Sequence, residues 1–241
     1  NKPVGGGLQQ AMEYARILDI PFAYSSNGDA FVEHDFLTGS ETQISIEKFP
    51  TKKSLEDRIK TNTPLTASQQ HIVDEPYYFD QHTNEPRYYQ RIAINRTIEA
   101  VAKGQNRILL VMATGTGKTF TAFQIIHRLV KSGAKKKVLY LADRNILIDQ
   151  TMVQDFRPFK KIMTKIQDRE MDSSYEIYMS LYQQLVEYDE TKEDPFKKFS
   201  PTFFDLILVD ECHRGSARDD SAWRKILEYF SSATQIGMTA T

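Results

Sequence analysis

The sequence predicts an α/β protein whose larger part, residues 87–241, is a parallel sheet with helices on both sides. Three observations point there. The runs RILLVM (107–112), KKVLYLAD (136–143), FFDLILVD (203–210) and TQIGMTA (234–240) are continuous apolar segments, as strands covered on both faces require. Segments with a helical apolar stripe alternate with them. A glycine loop joins the first run to one of those helices, over MATGTGKT (112–119). Residues 1–86 do not share this rhythm and read as belonging to another domain.

Taken in order, GGGLQQAMEYARILDI (5–20) is an amphipathic helix with Leu8, Ala11, Met12, Ala15 and Leu18 on one face at steps of three or four. Gln10 and Tyr14 lie one turn apart on a neighbouring face. In PFAYSSNGDAFVEHDF (21–36), two aromatic-rich runs flank Asn27-Gly28, the pair best suited to the positive φ angles of a tight hairpin. TKKSLEDRIK (51–60) is a short helix. Residues 61–86 hold Pro64, Pro76 and Pro86 without sustained periodicity and read as a connector. RYYQRIAINRTIEAVAKG (87–104) is helical up to a C-cap at Gly104, and KTFTAFQIIHRLVKSG (118–133) carries a stripe of Ala122, Ile125, Ile126, Leu129 and Val130.

Composition narrows the class. With 241 residues, 40% hydrophobic and 26% charged, the chain has enough apolar material for a sizeable core. No apolar run approaches the roughly 20 residues of a membrane span, and no signal peptide stands at the start, so an intracellular setting is expected. One cysteine, Cys212, excludes an internal disulfide framework and a cysteine-rich zinc site. The net charge of −1 hides an acidic first third and a basic remainder, with KSGAKKK (131–137), Lys160-Lys161 and Lys197-Lys198 as basic clusters. That excess weakly favours a polyanionic partner, although such runs are more often solvated faces.

The chemistry concentrates in two places. In VMATGTGKTF (111–120), strand, glycine loop and helix follow in the order a phosphate cradle needs. Gly115 and Gly117, with Thr114 and Thr116 between and before them, let backbone N–H groups approach phosphate oxygens. Lys118 can reach the β and γ phosphates, the Thr119 hydroxyl can ligate Mg²⁺, and the helix N-terminus adds partial positive charge. Met112 stands where the strict G-x-x-x-x-G-K-[ST] pattern has its first glycine. In FFDLILVDECHRG (203–215) an apolar strand delivers Asp210 and Glu211 at its C-terminal end, where ligands bind in open α/β sheets. Asp210 suits a Mg²⁺ coordination sphere and Glu211 a general base that orients water. Cys212 and His213 form neither a full metal set nor a plausible nucleophile and base pair. His34, His71, His82 and His127 show no ligand spacing, and Trp223 and Tyr77-Tyr78-Phe79 read as packing.

At these residues the sequence resembles a family. MATGTGKT and DECH are similar to motifs I and II of superfamily 2 helicases and translocases, whose loop A-x-x-G-x-G-K-T accommodates Met112. The resemblance implies a RecA-like P-loop domain over 87–241 that uses ATP and Mg²⁺. RYYQ (87–90) then resembles the adenine-reading Q motif, with Gln90 on the base and Arg87 or Tyr89 in support. LADRNILIDQ (141–150) and SLYQQL (180–185) resemble motifs Ia and Ib, which touch the nucleic-acid backbone, here through Arg144 and Ser180. MTAT (238–241) resembles motif III, which implies that Thr239 and Thr241, with His213, couple nucleotide state to nucleic-acid binding.

Together these segments look most like the R subunit of type I restriction enzymes. In that family the nuclease domain, restriction-endonuclease-like in fold, ends with a Q-x-x-x-Y motif on a helix, which Gln10 and Tyr14 fit in spacing. The resemblance implies the end of a nuclease domain over 1–60, a connector over 61–86 and the first of two RecA-like motor domains over 87–241. It implies a cytoplasmic, ATP-driven translocase on double-stranded DNA, with modification and specificity subunits as partners and no membrane. It also implies that the nuclease metal ligands lie before Asn1 and the arginine fingers after Thr241, so that this piece alone is inactive. Two other readings stay open: a helicase of another superfamily 2 branch, acting in DNA repair or on RNA, and a non-catalytic ATP-dependent interaction module.

Overall fold

A computed structural model describes residues 3–18, 20–62, 64–81, 85–142, 148, 151–152, 155–166, 172–187, 192–210 and 224–240. The chain divides into two compact units, Asn1–Thr66 and Ala67–Thr241.

In the first unit, helix α1 (Leu8–Ile17) covers an antiparallel sheet of order β1-β2-β3, formed by Phe22–Ser26, Ala30–Asp35 and Ser40–Ser45. Leu8, Met12 and Ala15, spaced by four and three, are the buried stripe, packed with Ala23 and flanked by Ala11. Leu18, expected on the same face, is instead 57% exposed: the helix stops at Ile17, and the rotation that would bring position 18 inward ends with it. The turn falls at Asn27-Gly28, with Gly28 at φ 95°, but it is wider than a two-residue hairpin. Ser26 pairs with Phe31, and the Asn27 side chain closes the loop by accepting from the N–H groups of Asp29 (3.0 Å) and Ala30 (3.3 Å). Helix α2 (Lys52–Asn62) has no fully buried residue, and its Arg58 reaches two buried carboxylates. Its guanidinium contacts Glu33 at 2.7 Å and Asp35 at 2.5 Å and lies 4.5 Å above the Phe22 ring.

The second unit holds a six-stranded sheet of order β4-β9-β8-β5-β7-β6, parallel at every pairing. Its strands are β4 (Arg107–Val111), β5 (Val138–Ala142), β6 (Met163–Lys165), β7 (Ile177–Leu181), β8 (Leu206–Val209) and β9 (Thr234–Thr239). Alternate residues feed two cores. Val138, Tyr140, Leu206, Leu208, Ile236 and Met238 face helices α4 (Tyr88–Ala102) and α5 (Lys118–Lys131) through Ile94, Ile98, Phe123, Ile126 and Leu129. Leu139, Leu141, Ile207 and Val209 face an aromatic layer of Phe196, Phe199, Phe204 and Phe230. Each central strand is buried on both faces, which is why its sequence reads as an unbroken apolar run.

Two expectations are corrected here. RILLVM was expected to be covered on both faces, yet Leu109 and Val111 are each 62% exposed. β4 lies at the edge of the sheet, and only its Ile108 and Leu110 face is packed. The connector over 61–86 is in part structured: Asn62 ends α2, and Ala67–Asp74 form helix α3, which packs on α4. The extended stretch after α3 is pinned to α5 by side chains acting as backbone partners. The Gln124 amide accepts from the Tyr78 N–H at 2.9 Å and donates to the Tyr78 carbonyl at 3.0 Å. Arg128 donates to the Val73 carbonyl at 2.6 Å and to Asn95 at 2.8 Å. Three of these bonds satisfy peptide groups of Tyr78 and Val73.

Candidate nucleotide-binding site

The loop between β4 and α5 turns because two residues adopt the left-handed conformation. Gly115 has φ 78° and Gly117 has φ 81°, the latter as the residue immediately preceding α5. A side chain at either position would be strained. Nothing lies within 4 Å of where a Cβ on Gly115 would stand, so the loop opens outward there. A Cβ on Gly117 would stand 2.4 Å from the Gln90 Nε2. The loop carries its own bracing: the Thr116 hydroxyl donates to the Ala113 carbonyl at 2.6 Å. Met112 is buried in the α4–α5 core, so an apolar anchor fills the place a first glycine would hold. Its N–H donates to the Thr239 carbonyl at 2.8 Å and ties the loop's entry to β9. Lys118 is buried at the first turn of α5, with Nζ 3.4 Å from the Met112 carbonyl. Thr119 follows it, half-buried. The first N–H groups of α5, which have no intrahelical acceptor, and the positive end of the macrodipole gather at this helix start, beside a lysine and two glycines. The arrangement suits phosphate oxygens.

Gln90 is the loop's second brace. It sits at the third position of α4, buried, and accepts from the Arg87 N–H at 2.8 Å in a capping box. Its Nε2 donates to the Thr116 carbonyl at 2.8 Å. One side chain therefore fixes the start of α4 and the crest of the glycine loop. Arg87 is exposed, its guanidinium 3.4 Å from the Tyr89 hydroxyl.

Asp210 stands just beyond β8, two strands from β4, at the same C-terminal end of the sheet as the glycine loop. Its N–H donates to the Leu141 carbonyl at 2.9 Å, extending the pairing with β5. Its carboxylate accepts from the Tyr140 hydroxyl at 2.7 Å. Nothing in the sequence had marked Tyr140; the one available signal was a polar-tipped residue in an otherwise aliphatic buried strand, VLYLA. Thr239 ends β9 between these two groups and is buried. Glu211, Cys212, His213, Arg144, Trp223 and Thr241 lie outside the described residues.

Two segments read for nucleic-acid contacts lie among the described residues. Ser180, expected at the DNA backbone, is fully buried within β7, and its hydroxyl bonds the Leu181 carbonyl at 2.9 Å. Two of the four lysines of KSGAKKK, read as a weak sign of a polyanionic partner, bond within the fold. Lys135 donates to Thr234 Oγ1 at 2.7 Å, and Lys137 donates to the carbonyls of Ser173, at 2.8 Å, and Tyr175. Both lysines sit where β5 begins, at the opposite end of the sheet from the glycine loop. His127 is a packed histidine, among Tyr78, Phe123 and Phe159, and burial pushes its pKa down to about 4, with Lys131 and Arg128 adding to the effect. In the first unit, Gln10 Nε2 donates to the Tyr14 hydroxyl at 3.0 Å on the exposed side of α1.

The fold and the loop define a P-loop α/β domain, and comparison with known proteins makes the class specific. Residues 83–241 match the family described as "Type III restriction enzyme, res subunit", and the chain belongs to that family. Over 242 aligned residues it is 54% identical to the endonuclease subunit of the type I restriction enzyme EcoAI from Escherichia coli, covering 99% of this chain and 30% of that protein. It is 35% identical to the EcoKI endonuclease subunit of E. coli strain K12, over 64% of this chain and 15% of that subunit. A solved fragment assigned to the HsdR subunit of a type I restriction enzyme from Vibrio vulnificus YJ016 superposes with TM-score 0.67 at 40% identity, covering 100% of this chain and 41% of that one. The UvsW helicase of bacteriophage T4 shares the fold at TM-score 0.53 and 16% identity, over 72% of this chain and 34% of that one. The chain is thus a homologue of type I restriction endonuclease subunits with a helicase-like, RecA-type domain, and it spans under a third of the length of these two curated relatives. No described helix is long and apolar enough to cross a membrane.

Proposed function

We propose that this chain is the motor portion, with the adjoining end of the nuclease portion, of a type I restriction endonuclease subunit, in which ATP hydrolysis drives translocation along double-stranded DNA before cleavage. The observation that carries the reading is the pairing, at one end of a parallel sheet, of a positive-φ glycine cradle opening into α5 with a carboxylate at the end of β8. The cradle's open space and the buried Lys118 fit the phosphates of ATP, and the carboxylate fits Mg²⁺. Backbone N–H groups of 115–119 and Lys118 would hold the phosphates, and Thr119 and Asp210 would hold Mg²⁺, which when bound neutralises charge on the phosphates. Gln90 and Arg87, at the start of α4, would meet the adenine, and Gln90 would transmit that contact to the loop through its bond to the Thr116 carbonyl. Glu211 would orient the attacking water, and Thr239, hydrogen-bonded to the loop's entry, would report nucleotide state to the DNA side with His213 and Thr241.

Under this reading residues 1–60 end a nuclease domain and present Gln10 and Tyr14 to its site, and residues 87–241 form the first motor domain. Arg144 and the segment that holds Ser180 are proposed at the DNA backbone. The partners are double-stranded DNA and the modification and specificity subunits of the same complex, in the cytoplasm. The test is Glu211→Gln in the intact subunit assembled with its partners. ATP binding is expected to persist while hydrolysis and triplex displacement along DNA are lost. Hydrolysis and translocation at the unaltered rate would remove Glu211 from the role of general base, and a wild-type complex that binds ATP without hydrolysis or displacement along DNA would overturn the motor reading in favour of a nucleotide-dependent interaction module.

A further inference from the structure

We propose that Tyr140 is a positioning residue for the metal-binding carboxylate, its buried phenol holding Asp210 in one orientation through the hydrogen bond to Oδ2. The inference rests on the reading of Asp210 as a Mg²⁺ ligand and adds a residue that lies in none of the motifs. Tyr140 is 1% exposed, in the middle of β5 among Val138, Leu139, Leu141 and Ala142. A phenylalanine would fill the same space without burying a hydroxyl, whose desolvation is unfavourable unless it finds a partner. The partner it finds is the one described carboxylate at the proposed nucleotide end of β8, at 2.7 Å. The ring is held in turn by Phe156, edge to face with centroids 5.5 Å apart. Asp210 is therefore tied to β5 twice, by its N–H to the Leu141 carbonyl and by its side chain to the preceding residue. A carboxylate on a strand end otherwise rotates about two bonds. The bond from behind restricts that rotation before the metal arrives and assigns Oδ2 as the oxygen that accepts from the phenol.

Tyr178 supplies the internal control. It is the other fully buried tyrosine of the sheet, on the neighbouring strand β7, and its hydroxyl donates at 2.8 Å to a backbone carbonyl, that of Asp172, remote from the site. Loss of either hydroxyl removes one buried hydrogen bond, but only one of the two bonds touches the metal carboxylate.

The experiment titrates Mg²⁺ into the 241-residue chain with a fluorescent, non-hydrolysable ATP analogue and reads nucleotide binding and thermal midpoint. Tyr140→Phe is expected to raise the Mg²⁺ concentration for half-saturation about three- to tenfold, the scale of one typical net hydrogen bond, with metal-free nucleotide affinity unchanged. Tyr178→Phe is expected to lower the thermal midpoint and leave the Mg²⁺ dependence where it was. Asp210→Asn is expected to abolish that dependence. If Asp210→Asn abolishes it and Tyr140→Phe leaves it unaltered, the positioning role is overturned and the reading of Asp210 stands. If wild type and Asp210→Asn respond alike to Mg²⁺, the reading of Asp210 falls and the inference with it. Should Tyr140→Phe fail to fold, ¹³Cζ-tyrosine spectra decide: a buried tyrosine resonance is expected to shift both with Asp210→Asn and on adding Mg²⁺ with nucleotide. Spectra that show no such resonance overturn the proposal.

Discussion

Gly117→Ala separates two effects that the glycine loop superimposes. Gly115 and Gly117 have nearly the same φ, 78° and 81°, so an alanine at either meets the same left-handed strain, about 1–2 kcal/mol. The gain from a less flexible unfolded chain, about 0.4–1 kcal/mol, is also common to both and drops out of the comparison. Only at 117 does the new methyl meet a neighbour, the Gln90 Nε2 at 2.4 Å, and the far end of that side chain has to give way. Its departure breaks the bond to the Thr116 carbonyl and disturbs the one from the Arg87 N–H. At about 1 kcal/mol per bond, Gly117→Ala is expected to cost about 1–2 kcal/mol more than Gly115→Ala. For a unit of this size that is a further fall of roughly 2–8 °C in thermal midpoint. Scanning calorimetry of both variants, each alone and combined with Gln90→Ala, reads the difference. With Gln90 truncated the clash is absent, so Gly117→Ala and Gly115→Ala should then cost the same. A cost at 117 no greater than at 115, or full additivity with Gln90→Ala, would refute the account of Gln90 as the brace of the loop.

Three further expectations follow from the structure. Arg58→Met leaves Glu33 and Asp35 buried without their cation and is expected to cost about 3 kcal/mol; amide exchange in β2 should accelerate accordingly, and unchanged protection would contradict it. His127 has its pKa pushed down to about 4 from 6.5, so the unfolded chain binds a proton that the folded chain refuses. Stability should therefore fall as pH drops through that window, by at most about 1.4 kcal/mol per pH unit, and the urea midpoint of His127→Phe should lack this component; identical profiles would contradict the assignment. Gln10→Ala and Tyr14→Phe alter an exposed pair and should move stability by no more than about 0.5 kcal/mol, while in the intact subunit they should suppress DNA cleavage and spare ATP hydrolysis. Cleavage at the wild-type rate would remove these residues from the nuclease.

What the sequence disclosed and what it withheld divide along the range of the interactions. The α5 stripe, the α1 stripe up to Ala15, the apolar strands and the glycine loop are local patterns, and each was legible from spacing alone. Strand order is not a local property. The exposure of Leu109 and Val111 follows from β4 lying at the sheet's edge, which no feature of RILLVM records. Lys135 and Lys137 look like a free basic cluster in one dimension, and only the placing of β5 between β8 and β7 turns them toward Thr234, Ser173 and Tyr175. Ser180 sits in a motif that suggests contact with nucleic acid, but strand alternation carries its side chain into the sheet. The candidate site was legible in its glycines, Lys118 and Asp210, whose chemistry is written in residue type. Its supports, Tyr140 seventy residues before Asp210 and Gln90 twenty-six before Thr116, depend on long-range contacts that the sequence does not show. Asn27 was recognised as a turn residue, and its part includes a side-chain oxygen that closes a four-residue loop, which the sequence does not show.

The central claim is that the cradle over 112–119 holds the phosphates of ATP. Isothermal titration of the chain with Mg²⁺ and a non-hydrolysable ATP analogue tests it most directly, with Lys118→Ala as the comparison, since Lys118 is the buried cation at the start of α5. The account predicts saturable one-site binding by the wild type and a loss of about tenfold or more in affinity on removing the charge-assisted contact, with the thermal midpoint of the unliganded chain little changed. Absent binding by the folded wild type, or equal affinity in the two proteins, would contradict it.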